Sequence, residues 1–240
     1  LSRQDHALLR DWIKREVGSD PITTDLTGDR LAMSELVRNE KWSDQDVFAG
    51  MLRVSCSAGV IPTSHGDVTV PPSALMQIAV DEIDAHRLSG VVLVENGIVV
   101  RHWHRSRVSP EIGGYLMVYR GHGADARACT DWMNSLPSSV TKIGYFDLDP
   151  AGIGMALDYK VDGVLAPCDL SDHLVDGAHN KPDEYDKQMN ARPGLDSEIP
   201  SGLGGLWAWM TAPGRKCAVT QERMMSSDIE LVVLQLNLIP

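Results

Sequence analysis

Gly144-Tyr-Phe-Asp-Leu-Asp-Pro-Ala-Gly152 is the stretch that decides how this chain is read. An apolar run enters from Ile143, two acids follow at Asp147 and Asp149, and Pro150 opens a segment of small residues. Proline suits the first position of a helix, and an Asp just before it suits a cap, so the stretch reads as strand, turn and helix start. Working outward, Val91-Val-Leu-Val94 is a continuous β-branched run that ends in Glu95. Tyr115-Leu-Met-Val-Tyr119 is a second run, Ile143-Gly-Tyr-Phe146 a third, and Val164-Leu-Ala166 a weaker fourth. Runs apolar on both sides are what a parallel sheet covered on both faces requires. Helices are predicted over Asp125 to Leu136 and Gly152 to Tyr159, between these strands. The alternation gives an α/β fold with a mainly parallel sheet flanked by helices.

In such sheets ligands gather beyond the carboxyl ends of the strands. Glu95 ends the first predicted strand, and Asp147 and Asp149 end the third. Residues two apart in extended chain point to the same side, so the two aspartates are expected to converge, with Glu95 joining them if the strands lie close. Clustered carboxylates repel one another unless a cation lies among them, and all-oxygen ligation suits Mg²⁺ or Mn²⁺ rather than zinc. Capping of the following helix is the plainer role for Asp149.

Residues 1–88 read as a smaller, mostly helical domain, winged-helix-like or a plain helical brace. Leu8, Leu9, Trp12, Ile13 and Val17 recur on one helical face. A second helix is predicted over Leu31 to Glu40. Ser43 and Asp46 resemble a capping box for a third, carrying Val47, Phe48, Met51 and Leu52. Asp67 to Val70 looks extended, and Ser73 is expected to cap a helix reaching His86. Residues 89–240 form the second domain. There Ser171 to Ser201 is expected to be a long surface loop, because it is polar and holds three prolines, Pro182, Pro193 and Pro200. Leu203 to Met210 and Ser226 to Leu238 are predicted helices, the last a C-terminal extension.

Composition narrows the function classes. Of 240 residues, 43% are hydrophobic and 23% charged, as in globular proteins. No apolar run reaches the roughly 18–20 residues of a membrane helix, and the opening LSRQDHALLR has no signal-peptide core. Cys56, Cys129, Cys168 and Cys217 are scattered without zinc-ligand spacing, which fits reduced thiols in a cytoplasmic protein. Acidic residues outnumber basic ones 33 to 22, a net charge of −11. Nucleic-acid affinity comes mainly from Lys and Arg, so a DNA-binding reading has to rest on local basic patches, metal ions or a partner.

The densest basic stretch is Arg101-His-Trp-His-Arg-Ser-Arg107. Arg101, Arg105 and Arg107 are candidates for phosphate contacts and Trp103 for stacking on a base; a solvated loop with Trp103 in the core is the alternative. In Arg120-Gly-His-Gly123 the glycines would let backbone N–H groups approach a phosphate, and His122 could shuttle protons near neutral pH. A simple turn explains the glycines equally well. Asp169 and Asp172 are weaker candidates for a second ion.

Taken in order, Val94-Glu95-Asn96, Tyr119 to Gly123, a helix, and Gly144 to Gly152 resemble a Toprim domain, which is marked by a strand-end Glu and a later Asp-x-Asp. Within that superfamily the chain most resembles the C-terminal Toprim of JetD-type Wadjet nucleases and their MksG relatives, and more distantly the A subunit of topoisomerase VI. Val219-Thr-Gln-Glu-Arg223 resembles a Gln-Glu-Arg near the C-terminus of JetD-like proteins. The likeness spans residues 90 to 225. It implies a Toprim-like sheet, Mg²⁺ or Mn²⁺ at Glu95, Asp147 and Asp149, and Glu222 as a candidate for a second ion. It also implies double-stranded plasmid DNA as substrate, an SMC-like ATPase/kleisin complex as partner, and a homodimer as one assembly to test. Asn96 stands where primase and topoisomerase Toprims usually carry Gly, and Gly97-Ile-Val-Val100 where the family segment often holds Thr and Phe. Topoisomerase VI A subunits carry their nucleophilic Tyr upstream of Toprim, whereas here no Tyr precedes Tyr115. Hydrolysis by activated water is therefore expected, making the chain a DNA endonuclease. A topoisomerase-like transesterase and a catalytically silent docking subunit are the alternatives.

Overall fold

The four predicted positions Val91 to Val94 are entirely buried, and the strand that they form with Gly90 (β5, Gly90–Val94) lies inside the main sheet. The computed structural model describes residues 2–20, 22–24, 33–35, 50–176 and 179–236. The chain divides into two compact units, residues 1–49 and 50–240. In the first, helix α1 (Arg3–Val17) starts at a capping box, with the Ser2 hydroxyl accepting from the Asp5 N–H and the Asp5 carboxylate from the Ser2 N–H. It stops at Gly18, whose φ of 85° closes the helix in the left-handed conformation. Ile13 and Val17 pack with Met33. The helix expected over Leu31 to Glu40 is described only at residues 33–35, which are helical. The Ser43–Asp46 capping box, Val47 and Phe48 lie outside the described residues.

The second unit holds a seven-stranded sheet in the order β4-β1-β6-β5-β7-β8-β9. Its strands are β1 (Met51–Ser55), β4 (Met76–Ala79), β5, β6 (Leu116–Tyr119), β7 (Thr141–Tyr145), β8 (Gly163–Pro167) and β9 (Leu231–Gln235). The four central strands, β6-β5-β7-β8, are mutually parallel, while β1 and β9 run antiparallel to their neighbours. A separate hairpin pairs β2 (Val60–Thr63) with β3 (Gly66–Thr69). Helices α2 (Gly97–Arg101), α3 (Pro110–Gly113), α4 (Ala124–Ser135), α5 (Pro150–Asp158), α6 (Pro182–Ala191), α7 (Leu195–Glu198), α8 (Gly204–Met210) and α9 (Gln221–Ser226) complete it. Among the described residues no helix is long and apolar enough to cross a membrane.

This is the expected α/β architecture, with corrections at its margins. The division after residue 49 replaces the boundary expected after 88, because β1 and β4 belong to the main sheet. Met51 and Leu52 are strand rather than helix, and so is Met76–Ala79, within the helix expected from Ser73. The two segments pair with each other, Met51 with Ala79 through Val54 with Met76, and long-range pairing overrides a helix-like local pattern. The polar segment 171–201 contains α6 and α7 instead of an unbroken loop. Pro182 sits in the first turn of α6, where its missing N–H costs nothing. The helix expected over 226–238 is replaced by α9, which ends at Ser226, and β9: Leu-Val-Val-Leu at 231–234 carries no helical period, and β8 offers it a partner.

The strand order places a crevice. From β5 the chain crosses to β6 on one side, then returns to lay β7 and β8 on the other. In a sheet so wound, ligands settle where the direction of winding reverses, at the carboxyl ends of the two strands that flank the reversal. Here those are β5 and β7.

Candidate functional site

Val94, Tyr119 and Tyr145 lie level in the parallel register, so Glu95 and Arg120 leave the sheet side by side. The ladder runs one step further: the Glu95 N–H donates to the Tyr145 carbonyl (3.2 Å), and the Arg120 N–H to the Val94 carbonyl (3.0 Å). Glu95 then turns its carboxylate onto the next strand end, where Oε2 accepts from the Asp147 N–H at 3.2 Å. Its Oε1 lies 3.7 Å from the Arg120 guanidinium. The expected meeting of Glu95 with the Asp147 loop is present.

Asp147 and Asp149 fare differently. Asp147 Oδ1 accepts from the Gln221 N–H at 2.8 Å. Asp149 is buried and caps α5: its Oδ1 accepts from the Gly152 N–H at 2.7 Å, and its Oδ2 from the Gln188 side-chain amide at 2.7 Å. Gln188 Oε1 in turn accepts from the Ala151 N–H (3.1 Å), closing the first turn of α5. Gly152 is required there, since a Cβ would stand 2.1 Å from the Asp147 carbonyl oxygen. Among the described residues no group of three or more His, Cys, Asp and Glu side chains stands as a ready ligand shell. Each carboxylate is held by its own donor instead: Asp147 N–H and Arg120 at Glu95, Gln221 N–H at Asp147, Gly152 and Gln188 at Asp149, and Asn96 at Glu222. The convergence expected of Asp149 is thereby corrected. Its side chain serves the helix, while its charge still bears on the other two.

The electrostatics follow from burial and like charge. Burial raises the Glu95 carboxyl above its ordinary value, and Asp149 and Glu222 push the same way against the Asp147 N–H and Arg120. Burial, then Glu95, Asp149 and Glu222, push Asp147 up to about 7, opposed by the Gln221 N–H. Burial raises Asp149 too, while its bonds from Gly152 and Gln188 draw it back.

The carboxylates are tied together by residues from far along the chain. Gln221, wholly buried, donates its side-chain amide to the Tyr145 carbonyl and accepts from the Asn96 N–H (2.9 Å). Asn96 Oδ1 caps α2 through the Ile98 N–H (3.0 Å), and its amide donates to Glu222. Leu148 and Val219 exchange backbone hydrogen bonds of 2.8 and 3.1 Å, seating this segment against the Asp147 loop. The profile of a family described as Domain of unknown function (DUF7281) matches residues 49–233. The chain belongs to the DUF7281 family. Comparisons with curated proteins and with solved structures found no match.

Other expected site residues scatter over the DUF7281 domain. Trp103 is 1% exposed and meets the Tyr145 ring edge-on at 5.9 Å, so it is core and offers no face to a base. The segment 101–107 is not a loop but the end of α2 followed by a short 3₁₀ turn, which sends successive side chains in different directions. Arg101 and Arg105 are exposed. Arg107 is bound to the far edge of the sheet, with its guanidinium 3.5 Å from Asp228 and 3.8 Å from Glu230. Arg120 reaches Glu95, as described, and His122 is exposed with its ring edge-on to Tyr119 at 5.9 Å. Between them Gly121 takes a φ of 74°, and a Cβ there would stand 2.5 Å from Asp125. Asp172 is ion-paired with Arg215 at 2.6 Å. Reading the sequence missed Gln188, and quoted Gln221 within Val219–Arg223 without giving it a role.

Proposed function

We propose that this DUF7281 protein is a Mg²⁺- or Mn²⁺-dependent endonuclease of the Toprim class, cutting double-stranded plasmid DNA beside an SMC-like ATPase complex. One observation carries the reading: the Glu95 carboxylate accepts a hydrogen bond from the Asp147 N–H at the point where the sheet reverses its winding. The donor set fits a hard divalent cation, being all carboxylate oxygen, buried and crowded by like charge. Glu95 and Asp147 would hold it, with Asp149 and Glu222 supplying further negative charge. When bound, such an ion supplies Lewis-acid polarisation of a phosphoryl oxygen. Arg120, beside Glu95, would receive a phosphate of the backbone.

Hydrolysis is favoured over transesterification because three of the five tyrosines are buried or already bonded. Tyr145 is wholly buried, with its hydroxyl driven up by burial, Tyr185 is buried, and the Tyr115 hydroxyl bonds to Glu111 at 3.2 Å. The test is supercoiled plasmid in Mg²⁺ or Mn²⁺, with and without an SMC-like partner complex. Nicking or linearisation, lost by at least about a hundredfold in Asp147→Ala, is the expected result. A single Tyr→Phe change that stops cleavage, with DNA linked covalently to protein, would make the chain a transesterase. No cleavage in either metal with the partner present would make it a docking subunit.

A further inference from the structure

We infer that Gln221 is a positioning residue that sets the separation of Glu95 and Asp147, acting through three hydrogen bonds that reach both strand ends. The inference rests on the proposed metal site for its functional meaning and on geometry alone for its existence. A buried amide without partners is costly, so a wholly buried glutamine is retained where its donor and acceptor both have fixed targets. Here the donor is aimed at the Tyr145 carbonyl, at the end of β7, and the acceptor at the Asn96 N–H, the residue after Glu95. The same residue's backbone N–H holds Asp147 Oδ1 at 2.8 Å. One side chain and one peptide group thus span both walls of the crevice and orient one of its carboxylates.

The surroundings leave little play. Thr220 caps α9 by accepting from the Arg223 N–H, and Val219 is bonded both ways to Leu148, so Gln221 is fixed on the side facing the crevice. Asn96 completes the arrangement, with its backbone N–H on Gln221 and its side-chain amide on Glu222. Neighbours that orient ligands without touching the ion typically change metal affinity by about 10–100-fold when altered.

The test uses the full chain and Mn²⁺ alone as probe. Gln221→Met keeps the side-chain length and removes both amide bonds. Calorimetric Mn²⁺ affinity should fall about 10–100-fold in a variant that still melts cooperatively. Gln221→Leu serves in the same way should Gln221→Met not fold. Affinity within about twofold of wild type, in a folded variant, overturns the inference. Amide exchange by NMR, in the wild-type chain without metal, decides the geometry independently. The Asn96 and Gln221 N–H groups should be protected well beyond the Gly97 N–H, and exchange at open-chain rates overturns the inference. Wild-type protein that binds no Mn²⁺ but shows this protection sinks the metal reading and leaves the positioning intact.

Discussion

The acidic strand ends and the basic segment that follows the first of them are close in sequence and opposite in behaviour. Glu95 and Asp147 come from the ends of parallel strands that the topology makes neighbours, and the Glu95 carboxylate accepts from the Asp147 N–H. Arg101, Trp103, Arg105 and Arg107 come from a helix end and a 3₁₀ turn, and they part company: two are exposed, one is in the core, and one is bound to the other edge of the sheet. Residues of one kind gather where the backbone of neighbouring strands leaves them no choice. On a short helical segment, spacing alone separates them by about 100° per residue.

The comparison breaks most easily at Trp103. If it is core, Trp103→Ala should destabilise the fold by about 3–5 kcal/mol, as expected for removing a buried tryptophan. For a domain of this size that lowers Tm by about 10 °C. A stacking residue would show the reverse pattern, with an unchanged melt and weakened DNA binding.

Asp147 sharpens the acidic side. Its carboxyl is raised from 3.8 to about 7, so the native state keeps a proton that the unfolded chain has already lost. Stability contributed in this way is complete below pH 3.8 and drains away as pH rises through about 7. The charges facing Asp147 are Glu95, Asp149 and Glu222. Asp147→Asn keeps Oδ1 as acceptor for Gln221 and removes the charge. In EDTA at pH 8 it should melt about 2–4 °C above wild type, for a gain of about 1 kcal/mol after solvent screening. The difference should shrink as pH falls and vanish only below pH 3.8. Equal melting at pH 8 would mean that the carboxylates do not oppose one another.

Asp149, two residues on, should respond with the opposite sign. Asp149→Ala removes the α5 cap and strands the Gln188 amide. A cap of this kind is worth about 1 kcal/mol, so the variant should melt about 2–4 °C below wild type at pH 8 in EDTA. If Asp149→Ala instead stabilises the chain as Asp147→Asn does, Asp149 belongs to the repelling cluster rather than to the helix.

Much of this was legible in the sequence because it rests on short-range pattern. The central strands announced themselves as unbroken apolar runs, and a Glu or Asp at the end of such a run is placed by the strand. Gly152 and Pro150 marked the turn into α5. What stayed hidden depends on pairing at a distance. Met51–Ser55 and Met76–Ala79 become strands only by finding each other. Gln221 acquires its place because residues 219–223 return to the crevice from the end of the fold. Trp103 shows the same limit, since nothing in Arg-His-Trp-His-Arg tells that Tyr145 lies beneath it.

The smallest effect on stability, and the cleanest separation within the basic segment, is expected from its arginines. Arg101 and Arg105 are exposed and make no ion pair among the described residues, so Arg101→Glu with Arg105→Glu should leave the melt unchanged within about 0.5 kcal/mol. If both meet phosphates, the slope of log affinity against log salt should become shallower by about 1 for each, uniformly across DNA sequences. Arg107 is already held by Asp228 and Glu230 on the opposite edge. Arg107→Glu should lower the melt slightly, because exposed pairs contribute at most about 1 kcal/mol, and should leave the slope alone. Filter-binding titrations from low to physiological salt, in EDTA and with an Asp147→Ala background in both arms, read the two effects. A slope that follows Arg107 and ignores Arg101 and Arg105 would carry the DNA path to the β9 edge of the sheet, away from Glu95. Nuclease action would then require the duplex to cross from that edge to the crevice, and the arginine beside Glu95, Arg120, would be the next residue to reverse.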